Sequence, residues 1–117
     1  MNEQARRKEL LEQYKQSQIT AGVYRIINRR NNKVLLGSTP NLASVRNKLE
    51  FARATKTSSA LDYRLRDDIR KFGFDAFSLE VLEVLEVKPE MTPAQIQEDL
   101  TTLEQLWREK EDPALLY

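Results

Sequence analysis

The sequence of 117 residues contains no cysteine and no histidine. These absences exclude disulfide bonds, thiol nucleophiles, zinc sites built from Cys and His ligands, and imidazole general bases. Acid–base chemistry has to come from carboxylates, tyrosines, lysines or a metal-bound water. Long apolar runs are absent too, since no stretch approaches the roughly 20 apolar residues that a membrane-spanning helix needs. We therefore expect a cytoplasmic protein with no membrane partner.

The net charge of +1 hides an uneven distribution of charge along the chain. Residues 21–73 carry twelve Lys and Arg against four Asp and Glu, a balance of +8, whereas residues 74–117 carry three against eleven, a balance of −8. A basic central segment favours an anionic partner such as nucleic acid. The other interpretation is that the two segments neutralise each other in space. The basic side chains that we expect to contact phosphates are Arg25, Arg29, Arg30, Lys33, Arg53 and Lys56.

The length suits one domain with one core. Residues 1–20 are predicted to contain an amphipathic helix packed on a domain formed by residues 21–117. Alternating apolar residues predict a hairpin of two strands, residues 21–28 and 33–37, with a polar turn between them. A third strand is predicted at residues 77–81. The pattern indicates an α+β fold, a three-stranded antiparallel sheet flanked by helices.

Three further helices are predicted from capping residues followed by helical spacing of apolar residues. They begin near Thr39, Ser59 and Thr92, and Gly73 is placed to end the second one. Val45 and Leu49 continue the apolar stripe of the first of these helices, so we expect both to be buried. We expect the aromatic side chains of Phe51, Tyr63 and Trp107 to pack in the core or at its edge rather than to stack on bases.

Three features of the sequence occur together in order. Residues 22–24, Gly-Val-Tyr, precede residues 35–37, Leu-Leu-Gly, by about a dozen positions. Residues 67–73, DDIRKFG, are followed by the predicted third strand. Glu104 stands three positions before Trp107 on the last predicted helix. This ordered set resembles the GIY-YIG nuclease superfamily over nearly all of the chain except the leading helix.

The resemblance implies a hairpin of a Gly-Ile-Tyr strand and a Tyr-Ile-Gly strand, and cleavage of phosphodiesters with one divalent metal, usually Mg²⁺. It implies that Tyr24 helps to activate the attacking water and that Glu104 holds the metal. A single carboxylate suffices for such a site because Mg²⁺ keeps most of its waters, and the ion lowers the pKa of a bound water. An arginine on the helix after the hairpin steadies the phosphate in this family, because a fixed guanidinium stabilises negative charge.

The sequence departs from the family pattern at three positions. Leu35 stands where the second motif has tyrosine, Val45 where the family has its arginine, and Leu49 where the next polar side chain belongs. Arg46 is one step from the arginine position and could replace it, although one step on a helix is about 100° of rotation. The late asparagine of the family has no clear counterpart in residues 112–117.

Three functions remain open from the sequence. The first is a nuclease-like domain with an eroded catalytic site that binds nucleic acid. The second is an active Mg²⁺-dependent DNA endonuclease that uses Tyr24, Arg46 and Glu104, with Glu104 as the metal ligand. The third is a protein-interaction module that uses the leading helix and the acidic carboxyl-terminal half.

Overall fold

The computed structural model describes residues 20–117. The elements in chain order are β1 (Ala21–Asn28), β2 (Val34–Thr39), α1 (Leu42–Thr55), α2 (Arg66–Phe72), β3 (Phe77–Leu85) and α3 (Pro93–Lys110). The predicted leading helix lies outside the described residues. Of the helices that are described, none is long and apolar enough to cross a membrane.

The strands form one antiparallel sheet in the order β2-β1-β3, so the predicted α+β fold with a three-stranded sheet is confirmed. Tyr24 pairs with Gly37, and Ile26 pairs with Leu35. The polar turn closes the hairpin as predicted, and Asn32 adopts the left-handed conformation there with φ of 63°. Asparagine tolerates this conformation better than most residues.

The two faces of the sheet carry different helices. Ile26 and Leu35 belong to the buried cluster that α1 and α2 cover, and Tyr24 packs against that cluster from the same face. Helix α3 packs against β1 and β2 from the other face. The placement follows from alternation along the strands, because Val23 points away from Tyr24 and its β2 partner is Ser38, which bonds a side chain of α3.

Capping residues account for the helix starts, with two shifts from prediction. Asn41, rather than Thr39, caps α1 by accepting a hydrogen bond from the Ser44 amide. The second helix begins after Asp62 rather than at Ser59, because the Asp62 carboxylate caps a short 3-10 turn, Tyr63–Leu65, that leads into α2.

The other predicted helix boundaries are present. Gly73 ends α2 with φ of +84°, a region that favours glycine. Thr92 and Gln95 form a complete capping box at the start of α3.

A buried polar network holds the turn end of the hairpin. Asn28 is fully buried, and its amide nitrogen donates to the Tyr117 hydroxyl at 3.0 Å and to Asp68 at 3.4 Å. The Tyr117 hydroxyl donates to Asp68 at 2.7 Å, and Asn31 donates to the same carboxylate oxygen at 3.1 Å. The backbone amide of Arg30 donates to the Asn28 side-chain oxygen at 3.0 Å. Every member therefore has a partner, as buried polar groups require.

Candidate functional site

Tyr24 owes its position to a glycine on the neighbouring strand. A Cβ atom at residue 37 would lie 2.6 Å from the Tyr24 hydroxyl oxygen and 2.8 Å from the ring carbon that bears it. The tyrosine ring therefore lies directly across Gly37, where any other residue would meet it. A β-bulge on the β3 side, between the pairs of Val23 and Tyr24, adjusts the strand at the same point. Packing against the Tyr24 ring is therefore enough to explain a glycine at residue 37.

A cavity of about 300 Å³ opens beside the Tyr24 side chain. Its floor is apolar and includes Leu35, Val45 and Leu61, while Tyr24, Lys48 and Asp62 supply polar groups. Of the three predicted catalytic residues, Tyr24 lines this cavity, whereas Arg46 and Glu104 do not.

Arg46 is exposed on α1 and is not one of the residues that line this cavity. The cation in the lining is Lys48 instead. Lys48 lies three residues after Val45, so the two share one side of the helix. Sequence reasoning missed Lys48 because it searched only next to the family position.

Burial is the main cause that raises the pKa of the Tyr24 hydroxyl, and the negative charges of Glu104 and Asp62 raise it further. Arg64 opposes these effects only in part. The hydroxyl is therefore neutral at ordinary pH, and it acts as a hydrogen-bond donor more readily than as a base. It forms no hydrogen bond within residues 20–117 and is free to bond a ligand.

Glu104 is held by two donors. The Ser38 hydroxyl donates to one carboxylate oxygen at 3.0 Å, and an Arg108 guanidinium nitrogen lies 3.3 Å from the other. Glu104 does not line the cavity beside Tyr24, and its connection with Tyr24 is the contribution of its negative charge to the raised pKa of that hydroxyl. Sequence reasoning missed Ser38 and Arg108, although the spacing of four between Glu104 and Arg108 was a visible signal for an ion pair.

This arrangement does not fit a magnesium ion as it stands. Each oxygen of Glu104 already accepts a bond, one of them from a cation, so a metal ion would compete with Arg108 for this carboxylate. No group of three or more metal-binding Asp, Glu, His or Cys side chains occurs in residues 20–117, so Glu104 would have to hold an ion without further carboxylates, while paired with Arg108.

Leu35, Val45 and Leu49, which stand where the family pattern has polar residues, lie in apolar surroundings. Leu35 and Leu49 are buried in the cluster between the sheet and the helices. The prediction of burial is confirmed for Leu49, whereas Val45 is only half-buried because it lines the cavity.

Two of the arginines that are predicted to contact phosphates form ion pairs with glutamates instead. Arg25 bonds Glu80 at 2.8 Å and Glu111 at 2.9 Å. Arg29 donates to Ser78 at 3.0 Å and lies 3.7 Å from Glu80. The acidic carboxyl-terminal half thus neutralises part of the basic segment, which was the alternative to an open basic surface.

The remaining predicted cations differ in their surroundings. Arg53 donates to the Phe77 carbonyl at 3.0 Å, and Lys33 lies 5.7 Å from the centre of the Tyr117 ring. Arg30 and Lys56 are exposed, and neither forms an ion pair with another described residue. Of the six predicted phosphate contacts, Arg30 at the hairpin turn and Lys56 at the end of α1 are therefore exposed without an acidic partner among the described residues.

No protein-family model matches the sequence, and no curated protein is significantly similar to it. Two solved structures are similar to this chain. One is the catalytic domain of the intron endonuclease I-TevI in a mutant form, with 20% identity and a TM-score of 0.56 over 79% of this chain and 84% of that chain. The other is the catalytic domain of the homing endonuclease I-TevI, with 23% identity and a TM-score of 0.54 over 77% of this chain and 86% of that chain. The protein therefore has the GIY-YIG nuclease-like fold that its sequence motifs predict.

Proposed function

We propose that this protein binds nucleic acid, with DNA as the first candidate, and that its nuclease-like centre no longer cleaves it. One observation carries the proposal: Glu104, at the metal position, is tied to Arg108 and Ser38. The tyrosine and the arginine that act with this glutamate in the family pattern are replaced here by the apolar side chains of Leu35 and Val45. Losing one well-placed transition-state donor commonly costs a factor of about 10² to 10³ in rate.

Binding is supported by the cations that have no acidic partner. Arg30 and Lys56 are exposed, and Lys48 lines the Tyr24 cavity. Such side chains contact phosphates without reading sequence, and each contact releases condensed counterions. A cytoplasmic location remains part of this proposal and follows from the sequence argument alone.

The test compares two double charge reversals in a binding experiment. Anisotropy of labelled DNA and RNA oligonucleotides is followed over a salt series, with wild type and with Arg30→Glu plus Lys56→Glu. We expect affinity to fall as salt rises, and the double variant to bind more weakly and with a smaller salt slope.

The matched control changes the charge by the same amount in the acidic half. The variant Lys88→Glu plus Lys110→Glu has the same formal charge as the test variant. Its two substitutions lie in the acidic segment, residues 74–117, and not in the basic segment. We expect it to bind more tightly than the test variant. Equal weakening by both variants would reduce the effect to net charge, and no binding of wild type at low salt would favour the protein-interaction module.

A second candidate, the active endonuclease, has one observation in its favour. Tyr24 and a cation, Lys48, line one cavity even though the family arginine is absent, and the negative charge of Glu104 contributes to the raised pKa of Tyr24. Metal-dependent cleavage that is lost in Glu104→Ala and in either Lys48→Ala or Arg46→Ala would establish this function.

A further inference from the structure

Two large aromatic side chains are exposed, against the expectation from the sequence that they would pack. The side chain of Phe51 is 56% exposed and that of Tyr63 is 73% exposed. Trp107, by contrast, is half-buried and donates to Glu83 at 3.1 Å. Neither Phe51 nor Tyr63 belongs to the hydrophobic core formed by residues 20–117.

Phe51 lines a second cavity, of about 370 Å³, together with the polar side chains of Asn47 and Lys48. Lys48 and Ala60 line this cavity and also the cavity beside Tyr24. The two cavities are therefore neighbours across one lysine and one small residue. Together they form a groove that runs from Phe51 to Tyr24, which we call the α1 groove.

Tyr63 lines neither cavity, but it adjoins the Tyr24 end of the α1 groove in the chain. It follows Asp62, which lines the Tyr24 cavity. The exposed Tyr63 ring is therefore next in the chain to a residue of the groove lining. The groove has Phe51 at one end and Tyr24 at the other, with Tyr63 adjoining the Tyr24 end.

The groove combines aromatic faces, a cation and amide side chains. Lys48 has no ion pair with another described residue, so its ammonium group is available to a phosphate. Asn47 and Asn41 offer amide groups to the edges of bases. Stacking of bases on aromatic rings, with cations along the backbone, is the general way in which proteins hold unpaired strands.

We propose that the α1 groove binds unpaired nucleotides of a single strand, with bases stacked on Phe51 and Tyr63. A duplex is a poorer fit because its bases are already stacked on one another and present only their edges. The inference rests on the proposed binding of nucleic acid and adds the strandedness of the ligand.

The experiment compares one oligonucleotide as a single strand and as a duplex. The strand carries 2-aminopurine, whose fluorescence changes when the base stacks on an aromatic ring, and anisotropy gives the affinity. Wild type is expected to bind the single strand more tightly. Phe51→Ala and Tyr63→Ala should each weaken that binding about tenfold and reduce the change in 2-aminopurine fluorescence.

Two control variants separate stacking from lost apolar surface. Phe51→Tyr keeps an aromatic ring and should retain most of the affinity. Leu106→Ala removes a 50% exposed apolar side chain from α3, away from the groove, and should leave the affinity unchanged. Because all of these side chains are exposed, the substitutions leave the core intact, which circular dichroism will verify.

Two results would overturn the inference. They differ in whether the proposed binding of nucleic acid is also overturned. Salt-dependent binding that is equal for duplex and single strand and unaffected by Phe51→Ala and Tyr63→Ala would remove the groove and keep the proposed function. Absence of binding to either form would remove both.

Discussion

The two ends of the β1–β2 hairpin differ in how their polar side chains are satisfied. At the turn end, Asn28, Asp68 and Tyr117 bond one another and leave no member without a partner. At the motif end, the Tyr24 hydroxyl has no hydrogen bond within residues 20–117 and faces a cavity. A network of satisfied groups stabilises the fold, whereas a half-buried donor without a partner is available to a ligand. We therefore expect a ligand to bind at the motif end of the hairpin rather than at the turn end.

The largest expected effect lies at the turn end. Asp68→Ala removes the acceptor shared by Tyr117, Asn28 and Asn31, and we expect it to lower the free energy of unfolding by about 2 kcal/mol. Asp67→Ala is the matched control, because the Asp67 side chain is 94% exposed and pairs with Arg70 at the surface, so the loss should stay below about 0.5 kcal/mol. Urea denaturation measures both. Equal losses would contradict a structural role for the network.

A pair of tyrosine variants tests the comparison directly. Tyr117→Phe removes a hydroxyl that bonds Asp68 and Asn28, and we expect a loss of about 1.5 kcal/mol. Tyr24→Phe removes a hydroxyl that bonds no described residue, and we expect a change below about 0.5 kcal/mol. Thermal or urea unfolding gives both values. A larger loss for Tyr24→Phe would show that this hydroxyl serves the fold.

Gly37→Ala is expected to have a smaller effect on stability than on the site. The new Cβ would meet the end of the Tyr24 side chain, which can swing away, so we expect a loss of about 1 kcal/mol. In the background of Tyr24→Ala the same substitution should cost less, because the ring is gone. A double-mutant cycle measured by urea denaturation gives the coupling. A coupling of zero would mean that the ring does not require glycine at residue 37.

The pH dependence of stability should also report the turn end. The bond from Tyr117 is the main cause that holds the pKa of Asp68 below its usual value, so the stability that Asp68 contributes is present above about pH 4 and lost as pH falls through its folded pKa. Burial, with the bond to Asp68, raises the pKa of Tyr117 to about 12. Its contribution is therefore complete below about pH 10 and is lost as pH rises toward about 12.

The difference in free energy of unfolding between wild type and an Asp68 variant separates the titration of Asp68 from that of other groups. The stability of wild type minus that of Asp68→Asn, measured by urea denaturation, should be constant near neutral pH and should shrink below about pH 4. A difference that does not change with pH would show that the charge of Asp68 makes no contribution through the network.

The sequence predicted most of the fold because its signals are local. Asn32 at the turn, Gly73 after α2 and the capping box at Thr92 act through neighbouring residues, and all occur where predicted. The start of α2 was missed because Ser59 and Asp62 are both good caps, and only packing decides between them.

The candidate site was predictable only in part, because it depends on contacts distant in sequence. The partners of Arg25 lie 55 and 86 residues away, and the spacing of charges along the chain does not reveal them. The exposure of Phe51 did have a signal. Phe51 follows Leu49 by two positions, which on a helix is about 200° of rotation and places it opposite the apolar stripe.

A nicking assay tests the central claim most directly, which is that binding persists where catalysis does not. Supercoiled plasmid and labelled branched DNA are incubated with micromolar wild-type protein and Mg²⁺ or Mn²⁺, and binding is followed on the same DNA. The account predicts binding without cleavage, and the same absence of cleavage in Glu104→Ala. Cleavage by wild type that disappears in Glu104→Ala and in Arg46→Ala or Lys48→Ala would contradict the account and establish an active nuclease.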